Sequence, residues 1–331
     1  MLQHELTERI LRLRGVPTLR SLPANELALI ARSLQARTFE PGEILLNEED
    51  PPRSFFLVTS GRVTMRRRGA RIGTIRAPGG VGFMSLLARN AGGTAAVAET
   101  FVEALELRGD TLEEVFEDHF PVLLGTVRFV AERMIHENIG QPPPPYIPPD
   151  VAFDHLVGDR ELGIVERIFL LRRMRAFTEA NVNSLATMAR KMVEIRAPAG
   201  EVLWRPGDRA EHNFFVVKGV LSSTWKIPGG GAAVQQIGPG YVVGGAESLC
   251  SLPRWNELVT GEPVVMLRGD RDGLIDLMED DRDLALRFLS MLAGMLMTTW
   301  DKKAEAGIPS IGGAPDSVPP PPDSAYQTPG P

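Results

Sequence analysis

The feature that most constrains this chain is that it matches itself. Glu8-Arg9-Ile10 recurs as Glu166-Arg167-Ile168, Ala31-Arg32 as Ala189-Arg190, Gly42-Glu43-Ile44-Leu45 as Gly200-Glu201-Val202-Leu203, and Gly61 as Gly219, always 158 residues later. A spacing held without a gap over such a stretch means two copies of one folding unit. Further on the register drifts. Gly82-Phe83-Met84-Ser85-Leu86-Leu87 aligns with Gly245-Ala246-Glu247-Ser248-Leu249-Cys250 at a spacing of 163, which puts a five-residue gain into a hairpin of the second copy around Gly229-Gly230-Gly231. Leu107-Arg108-Gly109-Asp110 then aligns with Leu267-Arg268-Gly269-Asp270 at 160. Loops are where duplicated domains diverge.

The seam is as plain as the repeat. Gln141-Pro142-Pro143-Pro144-Pro145-Tyr146-Ile147-Pro148-Pro149-Asp150 can neither extend a helix nor donate to a sheet, and is expected to form a semi-rigid polyproline II spacer. The expected organisation is a first domain over 1–140, a proline-rich linker over 141–157, a second domain over 158–306 and a disordered Pro/Gly/Ser-rich tail over 307–331.

A net charge of -6 argues against a broad nucleic-acid surface, because Lys and Arg on phosphates supply most non-specific affinity. One cysteine, Cys250, excludes a disulfide framework and points to a reducing compartment, read as the cytoplasm. No export signal or membrane span is visible. Hydrophobic residues at 43% leave apolar material for two cores.

Each copy opens on helical periodicity, as in Ile10, Leu13, Leu27, Ile30 and Leu34, with a helix start at Pro23-Ala24-Asn25-Glu26. Short strand-like runs follow over 43–46, 54–58, 61–65 and 71–75, a spacing that suits an antiparallel barrel or jelly roll. Thr111-Leu112-Glu113-Glu114 offers a capping box for a further helix. The closing helices place Leu123, Val127, Val130 and Met134 on one stripe, and Leu284, Phe288, Met291 and Met295 on another. Leu289, Leu292 and Leu296 widen the second arc, so a homodimer through the helix 283–300 is a hypothesis beside simple core coverage.

The order of parts resembles the cyclic-nucleotide-binding domain family in both copies. Pro41-Gly42-Glu43-Ile44-Leu45 before Asp50, and Pro198-Ala199-Gly200-Glu201-Val202-Leu203 before Gly207-Asp208, look like its early strands. Phe56-Leu57-Val58-Thr59-Ser60-Gly61 and Phe214-Phe215-Val216-Val217-Lys218-Gly219 look like its glycine-ended third strand, and the stretch Gly15 to Pro23 like its opening helix and turn. The resemblance implies a mainly β fold with flanking α: two tandem antiparallel β-roll (jelly-roll, double-stranded β-helix) domains with N- and C-terminal helices. It further implies a cyclic phosphate held by a short helix after a Gly-Glu pair and by a nearby Arg, with the Glu on the ribose. Free amides at a helix start and an Arg fork both suit an anion.

Both copies depart from that pattern. In the first, Phe83 replaces the Glu, and counting back from Ala95-Ala96-Val97 puts Gly93 in place of the Arg, which leaves Gly82, Phe83 and Ser85 as a degenerate site that Phe83 itself could fill. In the second, Ala246 replaces the Glu, while Arg254, followed by Trp255, falls near the Arg position; an alternative frame makes Glu247 the acid. A charged hydrogen bond contributes about 1.5–3 kcal/mol, so loss of both anchors weakens binding by roughly a hundredfold or more. No cofactor is expected. Cyclic AMP or cyclic GMP is the candidate ligand, at the second domain, with Gly245, Ala246 and Ser248 at the helix start, Arg254 on the anion and Trp255 as a stacking face; the alternative for Arg254 is a solvated loop arginine.

Other constellations point elsewhere or nowhere. Arg66-Arg67-Arg68-Gly69-Ala70-Arg71 reads as a solvated hairpin tip, the chain runs from Lys302-Lys303 into the proline tail without a DNA-reading module, and the five His residues are scattered. No nucleophile elbow or phosphate loop is present, so no enzyme is expected. The leading expectation is a non-catalytic regulatory protein that couples ligand sensing, in the second domain at most, to a protein partner, with the C-terminal tail as one candidate contact. The competing expectation is a scaffold or assembly component with both pockets vestigial.

Overall fold

The computed structural model describes residues 2–15, 23–89, 93–138, 157–158, 160–174, 177–227 and 230–306. The expected linker up to residue 156, the tail from 307 and the turn over 16–22 lie outside them. The first copy runs α1 (Leu2–Arg14), α2 (Ala24–Ser33), β1 (Gln35–Phe39), β2 (Ile44–Leu46), β3 (Ser54–Ser60), β4 (Arg62–Arg67), β5 (Ala70–Arg76), β6 (Gly79–Val81), α3 (Phe83–Ala88), β7 (Ala95–Ala98), β8 (Val102–Arg108), α4 (Gly109–Asp118) and α5 (Phe120–Asn138). The second runs α6 (Ile164–Arg173), α7 (Val182–Lys191), β9 (Val193–Ala197), β10 (Val202–Trp204), β11 (His212–Lys218), β12 (Leu221–Lys226), β13 (Ala232–Ile237), β14 (Val242–Val243), α8 (Gly245–Cys250), β15 (Glu257–Thr260), β16 (Val264–Asp270), α9 (Arg271–Asp280) and α10 (Arg282–Glu305).

The two copies have one topology. Antiparallel sheets ordered β1-β8-β3-β6 and β2-β7-β4-β5 in the first are repeated as β9-β16-β11-β14 and β10-β15-β12-β13 in the second. Inward residues of each pair of sheets close one core: Phe56, Val58, Val63, Ile72, Val81 and Val102 in the first roll, Trp204, Phe214, Val216, Leu221, Leu258 and Met266 in the second. The expected two-roll fold is therefore the observed one.

The sequence repeat corresponds to repeated bonds. Arg9 donates to the carbonyls of Ala31 and Leu34 at 3.3 and 2.8 Å, closing the end of α2; Arg167 donates to Ala189 and Met192 at 3.4 and 2.7 Å, closing α7. Exposed carbonyls at a helix end need such donors.

Strand pairing corrects the later register. Val63 pairs with Ile75 and Leu221 with Ile237, so the β12–β13 hairpin gains four residues, not five, and the spacing beyond it settles at 162. Arg108 opposite Ser54 and Asp270 opposite His212 confirm it. The short helices obey the same frame, because their starts are fixed by left-handed glycines, Gly82 at φ 89 and Gly244 at φ 78. Gly82 thus corresponds to Gly244, Phe83 to Gly245, Ser85 to Glu247 and Gly93 to Trp255. The matching Ser-Leu pairs had favoured the other frame, but side-chain identity on a six-residue helix constrains register less than the backbone turn that starts it.

Two further expectations change. The helix after β8 begins at Gly109 with no side-chain cap, so Thr111 lies inside its first turn, where its amide donates to Asp110 at 2.8 Å. In α10 the buried face is Ala285, Leu289, Leu292, Ala293, Leu296, Met297 and Trp300, whereas Met295, placed on the core stripe, is 49% exposed. The described residues form two compact units, one holding the chain up to Val130 with residues from Leu286, the other Ala131–Ala285; most of α10 packs in the first.

Candidate functional site

In the second unit α8 starts where β14 turns sharply at Gly244, and Arg254 comes in from the loop before β15. The loop is held by the Arg254 amide on the Asp208 carbonyl at 2.9 Å and the Gly207 amide on the Arg254 carbonyl at 2.8 Å. The side chain is 3% exposed, so it is not a solvated loop arginine. Its Nη1 donates to the Gly244 carbonyl at 3.0 Å and its Nη2 to the His212 carbonyl. The guanidinium carbon lies 3.9 Å from the centroid of the Trp204 ring. Burial pushes the Arg254 pKa down from its usual value, opposed by the charges of Glu247 and Asp208.

Trp204 is itself fixed. Its Nε1 donates to Asn256 Oδ1 at 3.0 Å, Asn256 Nδ2 donates to Ser223 Oγ at 2.6 Å, and the indole stacks on Phe214 with centroids 5.8 Å apart. The interior of the second roll is therefore occupied by aromatic side chains and a satisfied amide. Buried polar atoms without a protein partner in this region include the Arg254 Nε, Ser248 Oγ and His212 Nδ1; the unpartnered amide of Asn213 lies on the opposite face of β11, against Gly269 with Phe215 and Met192.

Of the residues singled out from sequence, the structure brings Ser248 and Arg254 to the α8 region as buried groups, with Gly245 and Ala246 half-buried at its start. Trp255 packs against Trp225 with centroids 5.1 Å apart, an edge contact within the domain. Glu247, the acid of the alternative frame, is 7% exposed. In the structural frame the family's Glu position is Gly245 and its Arg position is Trp255, so Arg254 lies one residue early.

In the first unit Ser85 Oγ bonds Thr94 Oγ1 at 3.0 Å, both buried. Phe83 does not fill the roll. It packs against Phe55, centroids 5.2 Å apart, and successive strand residues face opposite ways, so Phe55 points away from the core that Phe56 enters. What sequence reasoning missed here is Arg67. In the basic hairpin Arg68 and Arg71 are exposed, but Arg67 is 4% exposed and its Nη1 donates to the Gly93 carbonyl at 2.8 Å, the position where the family carries its own Arg. The alternation of β4, with Val63, Met65 and Arg67 all inward, was the available signal. Among the described residues no three His, Cys, Asp or Glu gather as a metal ion would need, and no helix is long and apolar enough to cross a membrane.

Comparison with known protein families agrees with the duplication. Residues 36–119 and 194–281 match the model of the family described as the cyclic nucleotide-binding domain; the segments start 158 and end 162 residues apart, as the hairpin gain requires. Over 102 residues the chain is 30% identical to acetyltransferase Pat of Mycolicibacterium smegmatis, and that match spans 31% of this chain and 31% of that protein. Among solved structures, the regulatory domain of Toxoplasma gondii PKA with cAMP aligns over 92% of this chain and 97% of that one at 14% identity and a TM-score of 0.33. The cyclic nucleotide-binding-like protein of Brucella abortus aligns over 34% and 98% at 20% identity and a TM-score of 0.31. On the two matched segments, which together cover just over half its length, the chain belongs to the cyclic nucleotide-binding domain family.

Proposed function

We propose that this chain is a non-catalytic regulatory or assembly protein that acts by binding another protein, with the nucleotide site of the second domain given over to the fold itself. The observation that carries the reading is the state of Arg254: two of its donors are on the Gly244 and His212 carbonyls and its plane is on Trp204. A cyclic phosphate competing for that fork would have to take the arginine off the His212 carbonyl, at a cost of about 1–3 kcal/mol, and off the Gly244 carbonyl, which would keep only the Ser248 amide at 3.2 Å. The single cysteine supports action in a reducing compartment, and the C-terminal tail is the candidate partner contact.

The acetyltransferase relative shares only a stretch close to one domain in length, so its activity is not carried to this chain. Thermal melting with cyclic AMP, cyclic GMP and cyclic dinucleotides at about 1 mM tests the reading. A ligand present at a hundred times its Kd stabilises by about 2.7 kcal/mol, which raises Tm by several degrees; no shift is expected. A second reading, a live ligand site in the second domain, is favoured by the unpartnered Arg254 Nε and Ser248 Oγ, and a saturable shift would support it.

A further inference from the structure

Within the first unit one carboxylate binds Arg67 along the Nε–Nη2 edge of its guanidinium. Nε lies 2.5 Å from Asp301 Oδ1 and Nη2 3.3 Å from Oδ2, with the two side chains 4% and 7% exposed. The third nitrogen, Nη1, is on the Gly93 carbonyl. Arg68, 68% exposed, adds its Nη2 at 3.4 Å from Asp301 Oδ2, and Glu48 accepts the Arg68 amide from the other side. Three residues on from Asp301, Ala304 packs against the core of the first roll. The last turns of α10 thus bring an anion and an apolar contact to this roll together.

Three physical points make this more than a brace. The pairing is the parallel two-bond arrangement that an Arg fork makes equally with a carboxylate or with two phosphate oxygens. A buried ion pair is a poor device for holding a helix down, because desolvation offsets most of the attraction and an apolar pair of similar volume would serve as well or better. Arg68 stands at the rim, mostly in solvent, where it can meet an incoming anion.

We propose that Arg67 and Arg68 form an oxyanion-binding site of the first roll, that the chain's own Asp301 fills it, and that a phosphate-bearing small ligand takes the site when the end of α10 withdraws. The guanidinium stands beside Gly93 but is supplied from β4, so it restores a cation where the family's own Arg is lost. The inference does not rest on the reading of Arg254: the second domain could bind nucleotide or not without altering it.

Thermal melting of the full chain tests it, in inorganic phosphate against sodium chloride of matched ionic strength, for wild type, Asp301→Ala and the double variant Arg67→Met/Asp301→Ala. Asp301→Ala is expected to melt lower, and phosphate to raise its Tm saturably, by about 4 °C at ten times Kd. Wild type and the double variant are expected to stay level. If Asp301→Ala does not fold, Asp301→Asn, which keeps the shape and removes the charge, carries the same titration. Equal phosphate effects on all three proteins, or none on the Asp301 variants, would overturn the proposal. Separate arms with acetate and cyclic AMP tell a simple carboxylate or a phosphodiester from free phosphate.

Discussion

Gly244 and Arg254 depend on each other. The glycine's carbonyl accepts Nη1 of the arginine at 3.0 Å, and a Cβ on Gly244 would run into that same Nη1 and come within 2.9 Å of Trp204 Cη2. Gly244 sits at φ 78, so a side chain there is strained even before it collides. Gly245, one residue on, has only an ordinary 3.6 Å neighbour and helical backbone. Gly244→Ala is therefore expected to destabilise by about 2 kcal/mol or more and Gly245→Ala to be near neutral or slightly stabilising, as urea melts would show. Equal effects would mean that the helix start has been assigned to the wrong glycine.

Arg254 is expected to behave as part of the core. Arg254→Ala takes the guanidinium from the His212 carbonyl, leaves the Gly244 carbonyl with only the Ser248 amide and strips Trp204 of its cation, a loss of about 2–3 kcal/mol. Arg254→Lys is expected to recover little, since an ammonium cannot reproduce the fork. A stable Arg254→Ala protein in chemical denaturation would show that the guanidinium is not structural.

Much of this was legible beforehand and some was not. The duplication announced the fold, and Arg9 and Arg167 show why it could: the residues that repeat make the same bonds in each copy. The frame of the short helices was misjudged because it turns on the positive φ of Gly82 and Gly244, and the sequence offers Gly244 and Gly245 side by side. Arg67 was hidden for a different reason. Its partner Asp301 lies 234 residues away, a pairing no local pattern reports.

The repeated arginines give a matched test. Arg9→Ala and Arg167→Ala each uncover helix-end carbonyls, those of Leu34 and Met192 first, and each is expected to cost about 1–3 kcal/mol. Calorimetric melts of the two single variants and the double should show losses of similar size that add, because the sites lie in separate units.

Acid should act through Glu166. The hydrogen bond from Arg160 comes first, then the backbone N–H of Gly163, and together they hold its carboxyl at about 2 against a usual 4.5. A lowered folded pKa means stability that is present above about pH 4.5 and is lost as pH falls toward 2. Glu166→Gln should flatten the fall of Tm in that window; Asp110, also held at about 2 chiefly by Arg108, supplies a similar slope that remains. An unchanged pH profile in Glu166→Gln would count against the pairing.

The most direct measurement is isothermal titration of the full-length protein with cyclic AMP. With the Arg254 fork spent on Gly244 and His212, the account predicts no saturable heat up to millimolar nucleotide. A one-site isotherm with a micromolar Kd would contradict it, and would return Arg254 to the role of a ligand anchor.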